Sequence, residues 1–239
     1  MSNDNYLLIC GRNPVREALA ANRVKEVFIS NGFSDKKLVD DIVSRGIKIS
    51  TKSNADLTHM CDENHQGIVA YIKRYEYSSL EDILRVAKTM INPIIVVLDG
   101  INDPHNLGAI MRTVDIFGAA GIIVKKHNQA SLNQTVAKTS AGAINYVKVA
   151  QVNNLSQTLK QLKDEGFWVV SSSGNAKTNF QELTYDFPCV LVIGNEVEGI
   201  SRLVLDNSDY VVKIPMKGKV NSLNASVATG ILLSKISGF

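Results

Sequence analysis

Apolar residues in the second half of the chain form short continuous runs that alternate with segments of helical periodicity. The runs Ile94–Leu98 and Val190–Ile193 contain no polar residue, as expected of strands buried on both faces of a sheet. Further strands are predicted at Ile122–Val124, Val169–Val170 and Tyr210–Ile214. Helices are predicted at Leu107–Phe117, at Leu155–Leu162, and in a last helix with an apolar face of Leu223, Val227 and Ile231. This alternation predicts an α/β domain with a parallel sheet covered on both faces.

Residues 1–75 repeat the alternation on a smaller scale. The predicted helices are Pro14–Ala21, Lys36–Ser44 and Asn54–Met60, and the predicted strands are Val24–Ser30, Ile47–Ser50 and Ile68–Ile72. The following stretch begins polar and becomes helical from Leu80, where Ser79 and Asp82 are suited to cap a helix. We therefore expect a small α/β domain over residues 1–75, a linker over 76–92 and a larger α/β domain over 93–239.

Composition narrows the class of protein only slightly. The chain has 239 residues, of which 45% are hydrophobic and 21% charged, as in ordinary globular proteins. The formal net charge of +3 is too small to indicate a nucleic-acid partner by itself. No apolar run is long enough to span a bilayer, and the first residues do not resemble a signal peptide. We expect a cytoplasmic protein with no membrane partner.

The cysteine and histidine residues show no metal-binding pattern. Cys10, Cys61 and Cys189 are odd in number, lack CxxC spacing and lie in or beside apolar stretches, which predicts buried reduced thiols. His65 and His105 fall inside polar motifs, but acidic or cysteine partners at metal-ligand spacing are missing. We expect no metal site.

A first polar cluster follows the predicted strand Ile94–Leu98, at the kind of strand end where α/β proteins bind ligands. Asn106 lies near the start of the next helix, where free N–H groups attract anions. Arg112 follows six residues later, so it points to a different rim of any pocket. Taken alone, Asn102–Asn106 is equally consistent with a simple turn and helix cap.

A second cluster, GNEVEG, follows the strand Val190–Ile193 and places Glu196 between Gly194 and Gly199. A glycine at a strand end allows a ligand to approach the backbone closely. The cluster matches neither a dinucleotide-binding fingerprint nor a P-loop, so a phosphate cradle is not expected. A glycine-bounded turn with solvated carboxylates is the alternative.

A third cluster follows the strand that ends near Ile214 and Pro215. A basic loop with Lys217 and Lys219 leads to a helix start that carries four Asn and Ser residues between positions 221 and 226. Four small polar residues exceed what helix capping needs. They suit an uncharged or zwitterionic ligand, whereas the two lysines suit a polyanion nearby.

The order of these clusters resembles the SpoU/TrmH family of the SPOUT superfamily of RNA methyltransferases. The motifs GRNPVREAL at Gly11–Leu19, NHQGIVA at Asn64–Ala70 and SAGA at Ser140–Ala143 extend the resemblance over nearly the whole chain. Within the family, the chain is most similar to bacterial 23S rRNA guanosine-2′-O-methyltransferases. The resemblance implies a C-terminal SPOUT catalytic domain with a parallel sheet and a trefoil knot, preceded by a small ribosomal-protein-like substrate-binding domain. It also implies a homodimer with the active site at the subunit interface.

The resemblance further implies transfer of a methyl group from S-adenosylmethionine to a ribose 2′-hydroxyl of RNA. It assigns cofactor binding to Gly194, Ile214 and Leu223, and it assigns catalysis to Asn106, Arg112, Glu196, Ser222 and Asn224. Arginine is sometimes cast as the base in such enzymes. Because a guanidinium pKa lies above about 12, we favour a role in clamping a phosphate and stabilising the developing alkoxide.

The same resemblance makes the N-terminal domain the part that grips RNA, on a flexible linker that lets it swing onto its substrate. Arg12, Arg16 and Arg23 are candidates for phosphate contact, although ordinary solvated arginines are an equal interpretation of each. Three other functions stay open: tRNA ribose methylation, a non-catalytic RNA-binding or ribosome assembly protein, and a nucleotide-dependent oxidoreductase. The presence of all five candidate catalytic residues argues against the second, and the missing glycine fingerprint argues against the third.

Overall fold

A computed structural model describes residues 5–61, 64–220 and 222–238 of the chain. The described residues form two compact units. The first takes its residues from Met1–Glu76 and Leu132–Asn145, and the second from Tyr77–Ser131 and Tyr146–Phe239. In that part of the chain, every helix is too short or too polar to cross a membrane.

Strands and helices alternate along most of the chain. The strands are β1 (Tyr6–Cys10), β2 (Val24–Ser30), β3 (Lys48–Lys52), β4 (Ile68–Lys73), β5 (Ile94–Asp99), β6 (Gly121–Lys125), β7 (Val149–Val152), β8 (Trp168–Ser172), β9 (Thr178–Asn179), β10 (Cys189–Gly194) and β11 (Tyr210–Lys213). The helices are α1 (Arg12–Ala20), α2 (Lys36–Ser44), α3 (Asn54–Met60), α4 (Leu80–Ala87), α5 (Pro104–Ile116), α6 (Gln134–Thr139), α7 (Leu155–Asp164), α8 (Arg202–Leu205) and α9 (Ala225–Ile236).

The first unit is a four-stranded sheet in the order β1-β4-β2-β3. Strand β4 is antiparallel to β1 and β2, whereas β3 is parallel to β2. Val15 and Leu19 of α1 pack with Leu38 and Ile42 of α2 in one buried cluster. Leu57 of α3 belongs to a second cluster. The helix α6 also belongs to this unit.

The second unit is a seven-stranded parallel sheet in the order β7-β6-β5-β10-β8-β11-β9. All six residues of β5 are buried, which explains its uninterrupted apolar sequence before Asp99. Leu155 and Leu159 of α7 pack in the core with Val190 and Val192 of β10. The predicted α/β class with a parallel sheet is therefore confirmed.

The stretch 76–92, interpreted from the sequence as a linker, contains the helix α4. Ser79 caps this helix, because its Oγ accepts a hydrogen bond from the N–H of Asp82 at 3.1 Å while the Asp82 carboxylate accepts one from the N–H of Ser79. Ile83 and Leu84 lie in the core of the second unit. About half of this stretch is thus the predicted helix, and that helix packs in the core of the second unit.

The apolar face predicted for the last helix is wrong. Helix α9 begins at Ala225, so Leu223 precedes it, and Val227 is 49% exposed. The buried side chains are Ala225, Thr229, Leu232, Leu233 and Ile236. Packing against α5 and β10 selects this face, and the spacing of apolar residues alone did not reveal it.

The expectation of three reduced cysteines is also wrong for two of them. Cys10, at the end of β1, and Cys61, just after α3, form a disulfide with their Cα atoms 6.7 Å apart. The Nε2 of Gln134, just inside α6, donates a hydrogen bond to the Cys10 sulfur at 3.0 Å. Cys189 is a free thiol whose burial raises its pKa to about 12.

Candidate functional site

A cavity of about 740 Å³ opens where β8, β10 and β11 reach their carboxyl ends. The loop Gly194–Ile200 forms one wall, and Ile214 and Leu223 contribute to others. The three residues expected to bind a cofactor, Gly194, Ile214 and Leu223, therefore border one space although their loops are apart in sequence. Loops at the carboxyl edge of a parallel sheet are a common place for a ligand site.

The loop that follows β10 folds back so closely that residue 194 must be glycine. A Cβ added to Gly194 would lie 2.3 Å from the carbonyl carbon of Gly199 and 2.5 Å from its oxygen. Gly199 itself has a φ of 71°, in the left-handed region that glycine adopts readily. The tight loop therefore fixes the backbone position of Glu196.

The side chain of Asn195 stabilises the same loop through three hydrogen bonds. Its Nδ2 donates to the carbonyl oxygen of Gly100 at 2.8 Å, and its Oδ1 accepts from the N–H groups of Val197 and Glu198 at 2.8 and 3.2 Å. The backbones of Asn195 and Gly199 also exchange two hydrogen bonds. One amide side chain thus ties the loop to the end of β5.

Three of the predicted catalytic side chains form a hydrogen-bonded row. The Nδ2 of Asn224 donates to Oδ1 of Asn106 at 2.8 Å, and the Nδ2 of Asn106 donates to Oε1 of Glu196 at 2.5 Å. Asn106 is only 9% exposed. Asn224 also caps α9, because its Oδ1 accepts from the N–H of Ser226 at 2.9 Å. The row gives one carboxylate oxygen of Glu196 a hydrogen-bond partner at the wall of the cavity.

The other two predicted catalytic residues lie differently. Ser222 lines the same cavity as Glu196. Arg112 is exposed on α5, and the described residues that line the cavity do not include it. Six helical residues turn the chain by about 240° from Asn106, so the two side chains face different directions. Within one chain, the structure brings four of the five residues to this edge and leaves Arg112 apart.

Asp99 is a buried charged residue that the sequence argument missed. It ends β5, and its Oδ1 pairs with the Nζ of Lys125 at 2.5 Å while its Oδ2 accepts from the N–H of Ser201 at 2.8 Å. Burial acts to raise the pKa of Asp99, but hydrogen bonds from Lys125 and Ser201 outweigh it, so the pKa lies below the ordinary value. A carboxylate that ends an otherwise apolar strand was the available signal.

Arg23 has partners within the first unit. Its guanidinium donates to the carbonyl oxygens of Lys73, at 3.0 Å, and Arg74, and it lies 4.5 Å from the ring centroid of Tyr75. Burial raises the pKa of Tyr75 to about 12, although the charge of Arg23 acts in the opposite direction. These contacts give Arg23 a structural role.

Arg12 and Arg16 are also engaged, but less completely. The Arg12 guanidinium lies 5.1 Å from the ring centroid of Phe33, and its backbone N–H donates to Oε1 of Gln66 at 3.0 Å. Arg16 pairs with Asp35, yet half of its side chain is exposed. Among the three arginines expected to bind RNA, Arg16 is therefore the most accessible.

The described residues contain no group of three His, Cys, Asp or Glu side chains that could hold a metal ion. The polar side chains at the cavity are amides, hydroxyls, two carboxylates and the ammonium of Lys219. Such a set can orient an organic ligand with a positive charge and a hydroxyl-bearing second reactant.

Two family models match the chain. The model described as the SpoU rRNA Methylase family matches residues 93–234, and the one described as RNA 2′-O ribose methyltransferase substrate binding matches residues 8–78. Two relatives named TrmH family tRNA/rRNA methyltransferase, from Staphylococcus epidermidis and Staphylococcus aureus, are 39% and 40% identical to the chain. Each alignment covers 96% of this chain and 94% of the relative.

Solved structures show the same fold. An AdoMet-bound rRNA methyltransferase from Sinorhizobium meliloti matches 98% of this chain and 87% of its own with a TM-score of 0.81 at 23% identity. The SpoU methyltransferase AviRb from Streptomyces viridochromogenes, in complex with AdoMet, matches 99% and 91% with a TM-score of 0.81 at 22% identity. The A. aeolicus TrmH/SpoU tRNA modifying enzyme matches 66% of this chain and 82% of its own, with a TM-score of 0.56 at 32% identity.

Proposed function

Because the chain belongs to the SpoU/TrmH family of RNA 2′-O-ribose methyltransferases, we propose that it methylates the ribose 2′-hydroxyl of a guanosine in 23S rRNA. The observation that carries the proposal is the row Asn224, Asn106 and Glu196, which reaches the wall of the large cavity. Methyl transfer requires the donor and the hydroxyl to be held in line, and a fixed polar row beside a cavity can align them.

S-adenosylmethionine is the methyl donor in this proposal, and its sulfonium supplies an already activated methyl group. The cavity of about 740 Å³ is within the usual size of a small-molecule site. Ile214 and Leu223 offer apolar surface for the adenine, whereas Glu196 and Glu198 offer negative charge near a positive ligand. A close relative in fold from S. meliloti is named as AdoMet-bound, which supports this choice.

The chain's own residues position the nucleophile. Asn106 accepts a hydrogen bond from Asn224 and donates one to Glu196, so one oxygen of the carboxylate is directed at Asn106. Ser222 lies at the same cavity and can accept or donate a hydrogen bond to the ribose. The 2′-hydroxyl proton must leave as the oxygen attacks. In this proposal it passes to solvent water, and the polar side chains at the cavity lower the barrier by orienting the hydroxyl.

Arg112 enters the site from a second subunit in this proposal. Exposed apolar side chains lie on α5, on α9 and just before α9, with Ile116 64%, Val227 49% and Leu223 37% exposed. A second copy that covers this surface gives a homodimer and places Arg112 of one subunit near the cavity of the other. There it clamps a phosphate and stabilises the developing alkoxide. The C-terminal trefoil knot stays a prediction from the family.

The first unit holds the RNA in this proposal. It contains all but the last two residues of the matched substrate-binding model at residues 8–78, and Arg16 is its accessible candidate for phosphate contact. A tRNA substrate is the second candidate, because the curated relatives are named for both tRNA and rRNA. A non-catalytic role in ribosome assembly would require the cavity to bind no cofactor.

Purified protein is incubated with labelled S-adenosylmethionine and either unmodified 23S rRNA or tRNA, and nuclease digestion with mass spectrometry locates the methyl group. We expect one 2′-O-methylguanosine in 23S rRNA. Methyl only in tRNA would overturn the rRNA assignment and keep the reaction. No methyl in either RNA, together with no binding of S-adenosylmethionine in calorimetry, would overturn the enzyme.

A further inference from the structure

Asp99 joins the two ends of the loop that carries Glu196. Its carbonyl oxygen accepts from the N–H of Asn195 at 3.1 Å, where the loop begins. Its carboxylate accepts from the N–H of Ser201 at 2.8 Å, where the loop ends and α8 begins. Both ends of the loop are therefore hydrogen-bonded to the same residue of the neighbouring strand β5.

Lys125 keeps this closure in place. The Asp99 side chain is 3% exposed, and a carboxylate so far from water is costly unless it is paired. The Lys125 ammonium, at the end of β6, lies 2.5 Å from Oδ1 and leaves Oδ2 free to accept from Ser201. Asp99, Lys125 and Ser201 all line an adjoining cavity of about 380 Å³, so without Lys125 the carboxylate would lose its charged partner at this position.

We propose that Asp99 and Lys125 are a positioning pair for the methyl-transfer site, which holds the loop 195–201 so that Glu196 meets Asn106 and the loop backbone forms the cofactor wall. Neither residue borders the large cavity, so the pair acts through the loop and not by contact with the cofactor. The inference rests on the proposed function.

A matched pair lies at the opposite edge of the same sheet. Lys163 Nζ is 2.6 Å from Oδ1 of Asp209, and Oδ2 of Asp209 accepts from the N–H of Val169 at 2.8 Å. Asp209 directly precedes β11, and Val169 is near the start of β8, so this pair lies at the amino ends of the strands. This pair makes the same kinds of contact as Asp99 and Lys125, but it does not hold a loop of the site.

The test compares Lys125→Met, Lys125→Arg and Lys163→Met in the full chain. The dissociation constant of S-adenosylmethionine is measured by calorimetry, kcat and KM by methyl transfer to RNA, and folding by melting temperature. We expect Lys125→Met to weaken S-adenosylmethionine binding about tenfold and to raise its KM accordingly. Lys125→Arg restores binding because it keeps the positive charge, and Lys163→Met leaves binding unchanged.

Weaker binding in folded Lys125→Met with unchanged binding in Lys163→Met supports positioning, whatever the melting temperatures of the two folded variants. Unchanged binding in Lys125→Met, or equally weakened binding in Lys163→Met, overturns it. Lys125→Gln is the second variant if the methionine variant does not fold. A wild-type protein that binds no S-adenosylmethionine would overturn the proposed function instead.

Discussion

The amide of Asn106 has a defined orientation, since its oxygen faces the donor Asn224 and its nitrogen faces the acceptor Glu196. A carboxylate such as that of Glu196 accepts hydrogen bonds. Asn224 donates because its own Oδ1 already accepts from the N–H of Ser226. A substitution that keeps the shape of Asn106 but removes its donor therefore separates chemistry from packing.

Asn106→Asp places a second carboxylate 2.5 Å from Glu196, at the position of the lost donor. We expect turnover to fall by about 100-fold or more at neutral pH. Two facing carboxyls raise the pKa of one of them, so activity should partly recover as the pH falls. Asn106→Ala is the control, because it also loses activity but adds no titrating group. Identical pH profiles of kcat for the two variants would contradict the hydrogen-bonded row.

Gly194→Ala is expected to abolish S-adenosylmethionine binding, because its methyl group would overlap the backbone of Gly199. Backbone atoms cannot move aside as a side-chain end can, so the wall of the cavity must open. Gly230→Ala in α9 is the control, since its nearest neighbour would be the Thr113 side chain at 3.9 Å. Calorimetric binding and melting temperature measure the two effects. Wild-type affinity in Gly194→Ala would show that the loop does not close as described.

Among the elements, α4 shows most clearly how a local sequence signal and packing combine. The side chains of Ser79 and Asp82 each accept a hydrogen bond from the other's backbone N–H at its start, and its apolar residues enter the core of the second unit. The helix therefore contributes to the stability of the catalytic part of the chain.

Ser79→Ala should lower the free energy of unfolding by about 1 kcal/mol, the usual cost of losing a helix N-cap. Ser78→Ala, one residue earlier, is the matched control, because the described contact of Ser78 with Val149 is made by its backbone. Urea unfolding followed by circular dichroism compares the two. If residues 76–92 had no structural role, Ser79→Ala and Ser78→Ala would have the same free energy of unfolding.

The apolar runs of β5 and β10 predicted strands, and both strands lie where the runs indicate. The apolar run Tyr6–Cys10 was not interpreted as a strand, although it forms β1. The two-residue β9 was missed because so short a strand has no pattern of its own. The residues of the site also fall into two groups, those that motifs predicted and those that only the structure reveals. Motifs identified Glu196 and Asn224, but the roles of Asp99 and Lys125 depend on contacts with residues far away in sequence. No local spacing reports such contacts.

For the whole molecule, the position of Arg112 leads to a prediction about two copies of the chain. If each site combines Glu196 of one subunit with Arg112 of the other, two inactive variants can complement each other. Arg112→Ala mixed with Glu196→Ala, unfolded and refolded together, should recover about a quarter of wild-type turnover. Half of the dimers then contain one copy of each variant, and in each of these one of the two sites is complete.

Each variant refolded alone is the control and should stay inactive. Methyl transfer to RNA and the mass of the species in solution are measured together. If mixed dimers form but recover no activity, Arg112 and Glu196 act in the site of the same subunit. If the protein is a monomer in solution, the proposal of a shared site is wrong.

The path of the chain limits how this enzyme can be retargeted. The first compact unit takes residues from both Met1–Glu76 and Leu132–Asn145, and Val136, Ala137 and Ile144 of the later segment are buried. A graft that exchanges only the first 76 residues for another recognition domain would leave this later segment without the surface it evolved to cover. Chimeric enzymes with new RNA targets should therefore exchange both segments together, as two cuts in the gene rather than one.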